Sequence, residues 1–242
     1  MVKKIVVCLG SSTTAAKGTY NWIKELEKQP KNKLYSFINL GVGGDLTYNA
    51  LVRIPKVIEC KPDIIFILIG ANDILATVFS NVKSFFTRWK HLPHDPSRKL
   101  FRQNMETIVR ELKRKTSAEI ILISLPQVGE DPTSTNKIQA KLNELYEDYN
   151  TILKDIAKKE KVYYLPLYEE LNKRIIVSPG RAFTRFSFLS FYKDYLIHEI
   201  ILRRSFDEIS DMNGWKFHID GVHLNTNGGK ILVDLVQKVL DK

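Results

Sequence analysis

The chain has 242 residues, of which 44% are hydrophobic and 26% are charged. This composition is typical of a globular protein, and it excludes a disordered tail or a fibre. Lysine and arginine total 37 and aspartate and glutamate total 27, so the formal net charge is +10.

The hydrophobic pattern predicts strands that alternate with helices. Short apolar runs, which favour strands, occupy residues 4–9, 34–40, 63–70, 119–125 and 161–165. Apolar residues recur every three or four positions, as on one face of a helix, around 22–26, 46–54, 105–112, 138–156 and 231–239. Continuous apolar strands joined by helical crossovers indicate a three-layer, doubly wound α/β fold with a central, mostly parallel five-stranded sheet.

We predict a single domain over residues 1–242, because the sequence contains neither an internal repeat nor a linker-like stretch. A chain of this length can still be built around one core. Two stretches, near 78–99 and 174–217, are longer than simple connections and are predicted to be insertions.

The excess positive charge is concentrated in residues 79–115, which include ten basic and three acidic residues. Such a segment can attract nucleic acid, anionic lipid or a charged substrate. Basic residues at helical spacing are more typical of a solvated helix face, however. We therefore expect no nucleic-acid partner.

The cysteines and the first residues bear on the compartment. Cys8 and Cys60 are too few for a disulfide framework, which favours a reducing environment. The first apolar run has five residues, whereas a signal-peptide core needs about 7–15, and no run reaches the roughly 20 residues of a membrane-spanning helix. We therefore expect a cytoplasmic protein with no membrane span, although export is left open.

Small polar residues follow the first three predicted strands, at residues 10–14, 41–45 and 70–73. The carboxyl ends of parallel strands meet at one edge of the sheet, where α/β proteins bind their ligands. Ser12 places a hydroxyl group at a turn from strand to helix, although a serine there is more often only a helix N-cap.

A serine becomes a nucleophile only when a base removes its proton, a carboxylate orients that base and hydrogen-bond donors await the oxyanion. Asp220 and His223, three residues apart, can supply the carboxylate and the base, although an isolated pair of this kind is usually a capping or surface pair. Asn72 and Gly44, together with the Ser12 amide, can supply the donors. The other four histidines (His91, His94, His198 and His218) lack an aspartate three residues before them and are interpreted as surface or core residues.

Taken together, four short blocks resemble the SGNH, or GDSL-type, hydrolase family. They are residues 10–14 (Gly-Ser-Ser-Thr-Thr), 39–45 (Asn-Leu-Gly-Val-Gly-Gly-Asp), 70–73 (Gly-Ala-Asn-Asp) and 220–224 (Asp-Gly-Val-His-Leu). The resemblance runs from Ile5 to Leu240. It implies the flavodoxin-like SGNH hydrolase fold.

The resemblance also implies a role for each matched residue. Ser12 corresponds to the nucleophile, His223 to the base and Asp220 to the acid that orients it, while Ser12, Gly44 and Asn72 form the oxyanion hole. The sequence departs from the family pattern at Ser11, where the family has Asp. We choose Ser12 over Ser11 because a threonine follows Ser12 by two residues, as the family spacing requires.

The implied reaction is hydrolysis of carboxylic (acyl) esters through an acyl-enzyme intermediate, as in GDSL-like lipases and acylhydrolases. It needs no cofactor and no metal, and neither the cysteines nor the histidines are spaced as a zinc site. The expected partner is a small-molecule ester, such as an acyl-lipid or an acetylated sugar, and the oligomeric state is unknown.

Two alternatives differ from a general acylhydrolase. One is an O-acetylesterase that acts on a carbohydrate or cell-wall substrate, which a small acyl pocket would indicate. The other is a non-catalytic phosphate-binding α/β module. The Asp220/His223 pair argues against the latter, as does the absence of the glycine-rich fingerprints of nucleotide-binding loops.

The two insertions bear on the substrate. The stretch 78–99 mixes aromatic and basic residues, and we expect a loop that forms one wall of the active-site cleft and whose basic rim favours esters with phosphate or carboxylate groups. A membrane surface or single-stranded nucleic acid also suits such a mixture but ranks lower. Within 174–217, aromatic residues at 188–196 recur at helical spacing, so we expect an amphipathic helix that packs on the core, covers the pocket or forms a dimer contact.

Overall fold

The structure is a computed structural model that describes residues 3–187 and 201–242. Within these residues, five strands form one parallel sheet with the order β2-β1-β3-β4-β5. The strands are β1 (Lys4–Gly10), β2 (Tyr35–Gly41), β3 (Ile64–Leu68), β4 (Glu119–Ile123) and β5 (Tyr163–Leu165). The predicted doubly wound parallel sheet is confirmed, and each strand boundary lies within two residues of its prediction.

Helices occupy the connections between the strands and most of the described chain after β5. They are α1 (Ser12–Ala15), α2 (Trp22–Glu27), α3 (Thr47–Val52), α4 (Ile54–Glu59), α5 (Ala71–Val78), α6 (Ser80–Trp89), α7 (Arg98–Lys115), α8 (Lys137–Glu160), α9 (Leu167–Val177), α10 (Phe206–Asn213) and α11 (Thr226–Leu240). The apolar stripe predicted over 46–54 is divided between α3 and α4. The division falls just before Pro55, because proline has no N–H to continue a preceding helix.

Burial along the strands follows their position in the sheet. All five residues of the central strand β3 are buried, since helices cover both faces there. The edge strand β2 has no fully buried residue. The chain passes from β1 outward to β2 and then back beyond β1 to β3, and this reversal opens a crevice at the carboxyl ends of β1 and β3.

The basic segment 79–115 forms mainly two helices. Basic residues of α7 pair with acidic residues of the neighbouring helix α8, for example Arg98 with Asp148 and Arg102 with Asp155. The opposite side of α7 is buried in the core. These contacts are those of a solvated helix face, as the sequence indicated.

The first predicted insertion, residues 78–99, was expected to be a loop, but much of it is helical. Residues 80–89 form the helix α6, which buries Val82 and Phe86 one turn apart against the core. Sequence reasoning treated the mixture of aromatic and basic residues as irregular and overlooked this spacing. The aromatic stripe predicted at 188–196 lies outside the described residues. Among the described helices, none is long and apolar enough to cross a membrane.

Candidate active site

Three predicted residues, Ser12, His223 and Asp220, form one chain of hydrogen bonds. Nε2 of His223 lies 2.9 Å from Oγ of Ser12, and Nδ1 of His223 lies 2.8 Å from Oδ2 of Asp220. The serine and the histidine are 211 positions apart in the sequence, so only the fold brings them together. The geometry is that of a nucleophile, a base and an orienting acid.

Ser12 is placed by a sharp turn from β1 into α1. Ser11 is the N-cap of this helix, and its carbonyl accepts a hydrogen bond from the Ala15 amide at 2.8 Å. Gly10 permits the turn, because a Cβ atom there would lie 2.1 Å from Oγ1 of Thr14 and 2.5 Å from the Leu68 carbonyl oxygen. Ser11 is buried whereas Ser12 is half-buried, which agrees with Ser12 as the accessible hydroxyl.

Asp220 and His223 are held by a tight loop just before α11. Oδ1 of Asp220 accepts hydrogen bonds from the amides of Val222 (2.9 Å) and His223 (2.8 Å), while Oδ2 faces the imidazole. Burial alone would raise the pKa of Asp220, but the His223 ring and these two amides hold that pKa below its usual value. An ionised Asp220 favours the tautomer in which Nδ1 carries the proton, so that Nε2 can accept one from Ser12.

The predicted oxyanion donors line the same cavity as Ser12 and His223. Gly44 has a φ of +74°, and its turn is closed by a hydrogen bond from the Asp45 amide to the Val42 carbonyl at 3.2 Å. Nδ2 of Asn72 donates to the Asp45 carbonyl at 2.9 Å. This bond occupies one of the two amide hydrogens of Asn72 and leaves the second available to a ligand.

Charged side chains hold the loop that carries Gly44. Both Arg53 and Lys90 contact the buried carboxylate of Asp45, at 2.8 and 2.9 Å. Nζ of Lys90 also donates to the Gly43 carbonyl at 2.7 Å, and Arg53 donates to the Leu40 carbonyl at 2.7 Å. Sequence reasoning missed this cluster, because Lys90 is 45 positions from Asp45 and no motif connects them.

A second buried pair supports the loop before Asp220. Nδ1 of His218 lies 2.8 Å from Oε1 of Glu130, and neither side chain is exposed. The Glu130 carboxylate also accepts the amides of Lys216, Phe217 and His218. Burial alone would raise the pKa of Glu130, but His218 and the first two of these amides hold it below its usual value. His218 is thus a core histidine, one of the two interpretations open from the sequence.

The cavity beside Ser12 has a volume of about 740 Å³. Aromatic side chains from both predicted insertions line it: Phe85, Phe86, Trp89, Phe183, Phe186 and Trp215. Among the described residues, the basic ones that line it are Lys17, Arg181 and Arg185, and none belongs to 78–99. In that stretch Lys83 pairs with Asp95, and Lys90 contacts Asp45. Sequence reasoning did not single out Lys17, Arg181 and Arg185, which belong to no motif.

No group of three or more histidine, cysteine, aspartate or glutamate side chains suited to a metal ion occurs in the described parts of the chain. Of the two cysteines, Cys8 is buried and Cys60 is partly buried, and both are free thiols. Burial raises the pKa of each thiol. Neither cysteine lines the cavity.

Three solved structures illustrate what the fold resembles. An acetyl xylan esterase, AlAXEase, shares 17% identity with a TM-score of 0.64 over 98% of this chain and 99% of that one. The acetylxylan esterase Axe2 of Geobacillus stearothermophilus shares 15% identity, with a TM-score of 0.67 over 98% and 94%. A GDSL-like lipase of Bacteroides thetaiotaomicron shares 16% identity, with a TM-score of 0.60 over 98% and 88%. At these identities the likeness concerns the fold.

The comparison with curated protein sequences gives no significant match. The model of the GDSL-like Lipase/Acylhydrolase family matches residues 8–231, which include all the predicted site residues. The chain therefore belongs to the GDSL-like lipase/acylhydrolase family and is a carboxylic ester hydrolase.

Proposed function

We propose that the chain hydrolyses acyl esters in two steps, with Ser12 as the nucleophile. The observation that carries this proposal is the unbroken hydrogen-bond chain from Ser12 through His223 to Asp220. Nε2 of His223 takes the Ser12 proton while Oγ bonds to the ester carbonyl carbon. The bond to the alcohol then breaks, and His223 returns the proton to the departing alkoxide.

The acyl-enzyme is released by the same groups acting on water. His223 takes a proton from a water molecule, the hydroxide adds to the acyl carbon, and Ser12 leaves with the proton. In each step the carbonyl oxygen becomes negatively charged. The Ser12 amide, the Gly44 amide and the free Asn72 hydrogen are the donors that we assign to that oxygen, and each such donor is worth about 3 kcal/mol in comparable sites.

The aromatic lining supports an apolar group as part of the substrate. A Cβ atom on Gly44 would lie 3.0 Å from the Trp89 ring and 3.2 Å from the Phe86 ring, so this wall adjoins the proposed oxyanion site. An apolar acyl or aryl group there would displace water and strengthen the hydrogen bonds to the oxyanion. We therefore favour a general acylhydrolase.

A second candidate is an O-acetylesterase for a carbohydrate. Two of the similar structures are acetyl xylan esterases by name. The cavity walls also suit a sugar, because pyranose rings stack on aromatic side chains such as Trp89 and Trp215. In this case the acetyl group fills a small part of the cavity and the sugar fills the rest.

The decisive experiment compares wild type with Ser12→Ala and Ser11→Ala on para-nitrophenyl esters from acetate to palmitate. Removal of the nucleophile from such a triad lowers kcat by about 10⁶-fold. We expect that loss for Ser12→Ala only, and a change of less than about tenfold for Ser11→Ala, which lies outside the triad. Equal losses in both variants, or activity in Ser12→Ala, would contradict the assignment of Ser12.

The same series separates the two candidate functions. Activity that extends to butyrate and longer chains supports the acylhydrolase. Activity confined to acetate, together with release of acetate from acetylated xylan, supports the carbohydrate esterase. The substitution Ser12→Ala must abolish either activity.

A further inference from the structure

The cavity beside Ser12 carries positive charge that no described carboxylate neutralises. Its lining includes Lys17, Arg181 and Arg185, and Asp220 is the one acidic residue that lines it within 3–187 and 201–242. Asp220 is already engaged by His223. The charge that the described residues present to the cavity is therefore that of three cations.

These cations come from two separate parts of the chain. Lys17 follows α1, the helix that begins at the proposed nucleophile. Arg181 and Arg185 flank Phe183, whose amide donates a hydrogen bond to the buried side chain of Gln139 at 2.5 Å. Residues distant in sequence thus converge on one cavity.

Arg181 is itself fixed in place. Its Nη1 donates to the Asn213 carbonyl at 2.9 Å, and its guanidinium lies 5.6 Å from the centre of the Trp215 ring. The remaining N–H groups of Arg181 can still bind an anion. A fixed guanidinium loses little side-chain freedom when it binds an anion, which favours tight recognition.

The charges of Lys17 and Arg185 matter because these two residues line the cavity. Both are exposed, and within 3–187 and 201–242 neither forms a salt bridge. By contrast, Arg98 and Arg114 pair with nearby carboxylates. Unpaired cations at a cavity attract an anion more strongly than paired ones, because no neighbouring charge cancels their field.

We propose that the natural ester substrate carries a negative charge, as a carboxylate or a phosphate group, bound by Arg181, Arg185 and Lys17. This inference rests on the proposed ester hydrolysis at Ser12. A sphere of about 740 Å³ is roughly 11 Å across, so an anion near the middle of the cavity lies within about one Debye length of each cation at 0.1 M salt. The aromatic walls bind the apolar part of the same molecule.

The test uses matched aryl acetates that differ in charge. They are para-acetoxybenzoate, its neutral methyl ester and para-acetoxyphenyl phosphate, with each rate divided by that of spontaneous hydrolysis. We expect both anionic esters to exceed the neutral one in kcat/KM by at least about fivefold at low salt, and the advantage to shrink as salt rises from about 0.05 to 0.5 M. If only one of the two anionic esters is preferred, it identifies whether the natural substrate carries a carboxylate or a phosphate group.

Charge-removing variants locate the effect. Arg185→Gln and Lys17→Gln should each reduce the anionic advantage by about threefold or more. The matched control is Arg114→Gln, which removes the same charge from the far end of α7 and should leave the advantage unchanged. An equal loss in the control would show that the overall charge, and not the cavity, is responsible.

Binding to the Ser12→Ala variant provides a readout that does not need catalysis. Fluorescence of Trp89 and Trp215, which line the cavity, reports the affinity for para-hydroxybenzoate and for its methyl ester. Tighter binding of the anion, lost in Ser12→Ala/Arg185→Gln, supports the proposal. Equal binding of the two compounds overturns the proposal, and so do anionic and neutral esters whose hydrolysis responds identically to salt. In either case, Ser12-dependent hydrolysis of the neutral ester would still support the proposed function.

Discussion

Asp73 is a buried carboxyl group that directly follows the proposed oxyanion residue Asn72. It accepts the hydroxyl of Thr47 at 2.6 Å and the Thr47 amide at 3.0 Å. Burial raises the pKa of Asp73 to about 7, and the hydrogen bonds from Thr47 oppose that rise. The carboxyl group joins α5 to α3 and thereby places the residues after β3 next to those after β2.

This raised pKa predicts a specific dependence of stability on pH. Between about pH 4 and 7 the folded chain retains a proton on Asp73 that the unfolded chain has released, so folding is favoured at the acidic end and weakens as pH rises. Asp73→Asn is neutral in both states and lacks this dependence. We expect the free energy of unfolding of wild type, relative to that of the variant, to fall by roughly 2 kcal/mol from pH 5 to 7.5. A difference of one bound proton changes this free energy by about 1.4 kcal/mol for each pH unit.

Urea unfolding at the two pH values measures this difference. Asp95→Asn serves as the control, because Asp95 is largely exposed and pairs with the surface residue Lys83. A stability difference between wild type and Asp73→Asn that is constant with pH would show that Asp73 is ionised throughout.

At the scale of single residues, the sequence predicted those site residues that lie in a recognisable motif. Ser12, Asn72 and His223 lie in short blocks at strand ends or before a helix, so spacing and topology together predicted that they meet. Glu130 and Asp73 could not be assigned to their partners in this way. Glu130 contacts His218 from 88 positions away, and nothing local in the sequence records that contact.

The helix α6 is an element whose role differs from the predicted one. We expected its segment to form a loop at the rim, with its cations facing the substrate. Instead, Lys90 at its end contacts Asp45 and the Gly43 carbonyl, and its side chain is only 10% exposed. Its hydrocarbon chain and the adjacent Trp89 pack on Gly44. The insertion therefore supports the loop that carries the proposed oxyanion amide.

Lys90→Met tests this role of α6. The substitution keeps the apolar contacts but removes the bonds to Asp45 and Gly43, so the Gly44 amide is held less firmly. We expect kcat on a small neutral ester to fall by about tenfold, equivalent to about 1.4 kcal/mol in the barrier, while KM changes by less than about twofold.

The matched control is Lys83→Met on the same helix. Lys83 pairs with the exposed Asp95 and is remote from Gly44, so both kinetic constants should stay near those of wild type. A rise in KM without a change in kcat for Lys90→Met would instead indicate that Lys90 contributes to substrate binding. Thermal unfolding of both variants separates loosening of the loop from general destabilisation.

At the scale of elements, the period of the apolar residues was the reliable signal. It located the five strands to within two residues, because each strand coincides with a short run of the sequence that is rich in apolar residues. It was less informative for α6, where charged and aromatic residues alternate and only Val82 and Phe86 are buried. The contacts of Lys90 with Asp45 and Gly43 form only in the folded chain, so the local sequence around Lys90 does not predict them.

In the whole molecule, the residues of the proposed triad come from opposite ends of the chain. Ser12 follows the first strand, whereas Asp220 and His223 lie just before the last helix, α11. That helix packs against α2 and α9. A buried pair strengthens the contact: Asn32 and Gln237 exchange two side-chain hydrogen bonds, at 2.8 and 3.0 Å. The position of His223 relative to Ser12 therefore depends on how α11 docks.

The parallel sheet could be predicted from the sequence, but the docking of α11 could not. Its apolar face predicts a helix on the sheet, and several orientations would bury that face equally well. The Asn32–Gln237 pair favours one of them, because a buried amide without a partner costs about 1–3 kcal/mol. These two residues are 205 positions apart, so their pairing becomes evident only in the folded chain.

Asn32→Ala tests whether this pair stabilises the molecule as one unit. The variant leaves the Gln237 carbonyl oxygen and the Leu26 carbonyl without the Asn32 amide, so we expect it to lower the free energy of unfolding by about 1–3 kcal/mol. The neighbouring Lys31→Ala is the control, since it breaks only an exposed ion pair with Asp241.

Parallel measurements of unfolding and heat inactivation show whether α11 and the active site are coupled. For Asn32→Ala we expect wild-type activity at 25 °C and a lower midpoint at which both activity and the folded signal are lost. Inactivation well below the unfolding midpoint would show that α11 can separate from the sheet by itself. Because the proposed triad spans that junction, the enzyme would then lose the contact between His223 and Ser12 while its sheet remains folded.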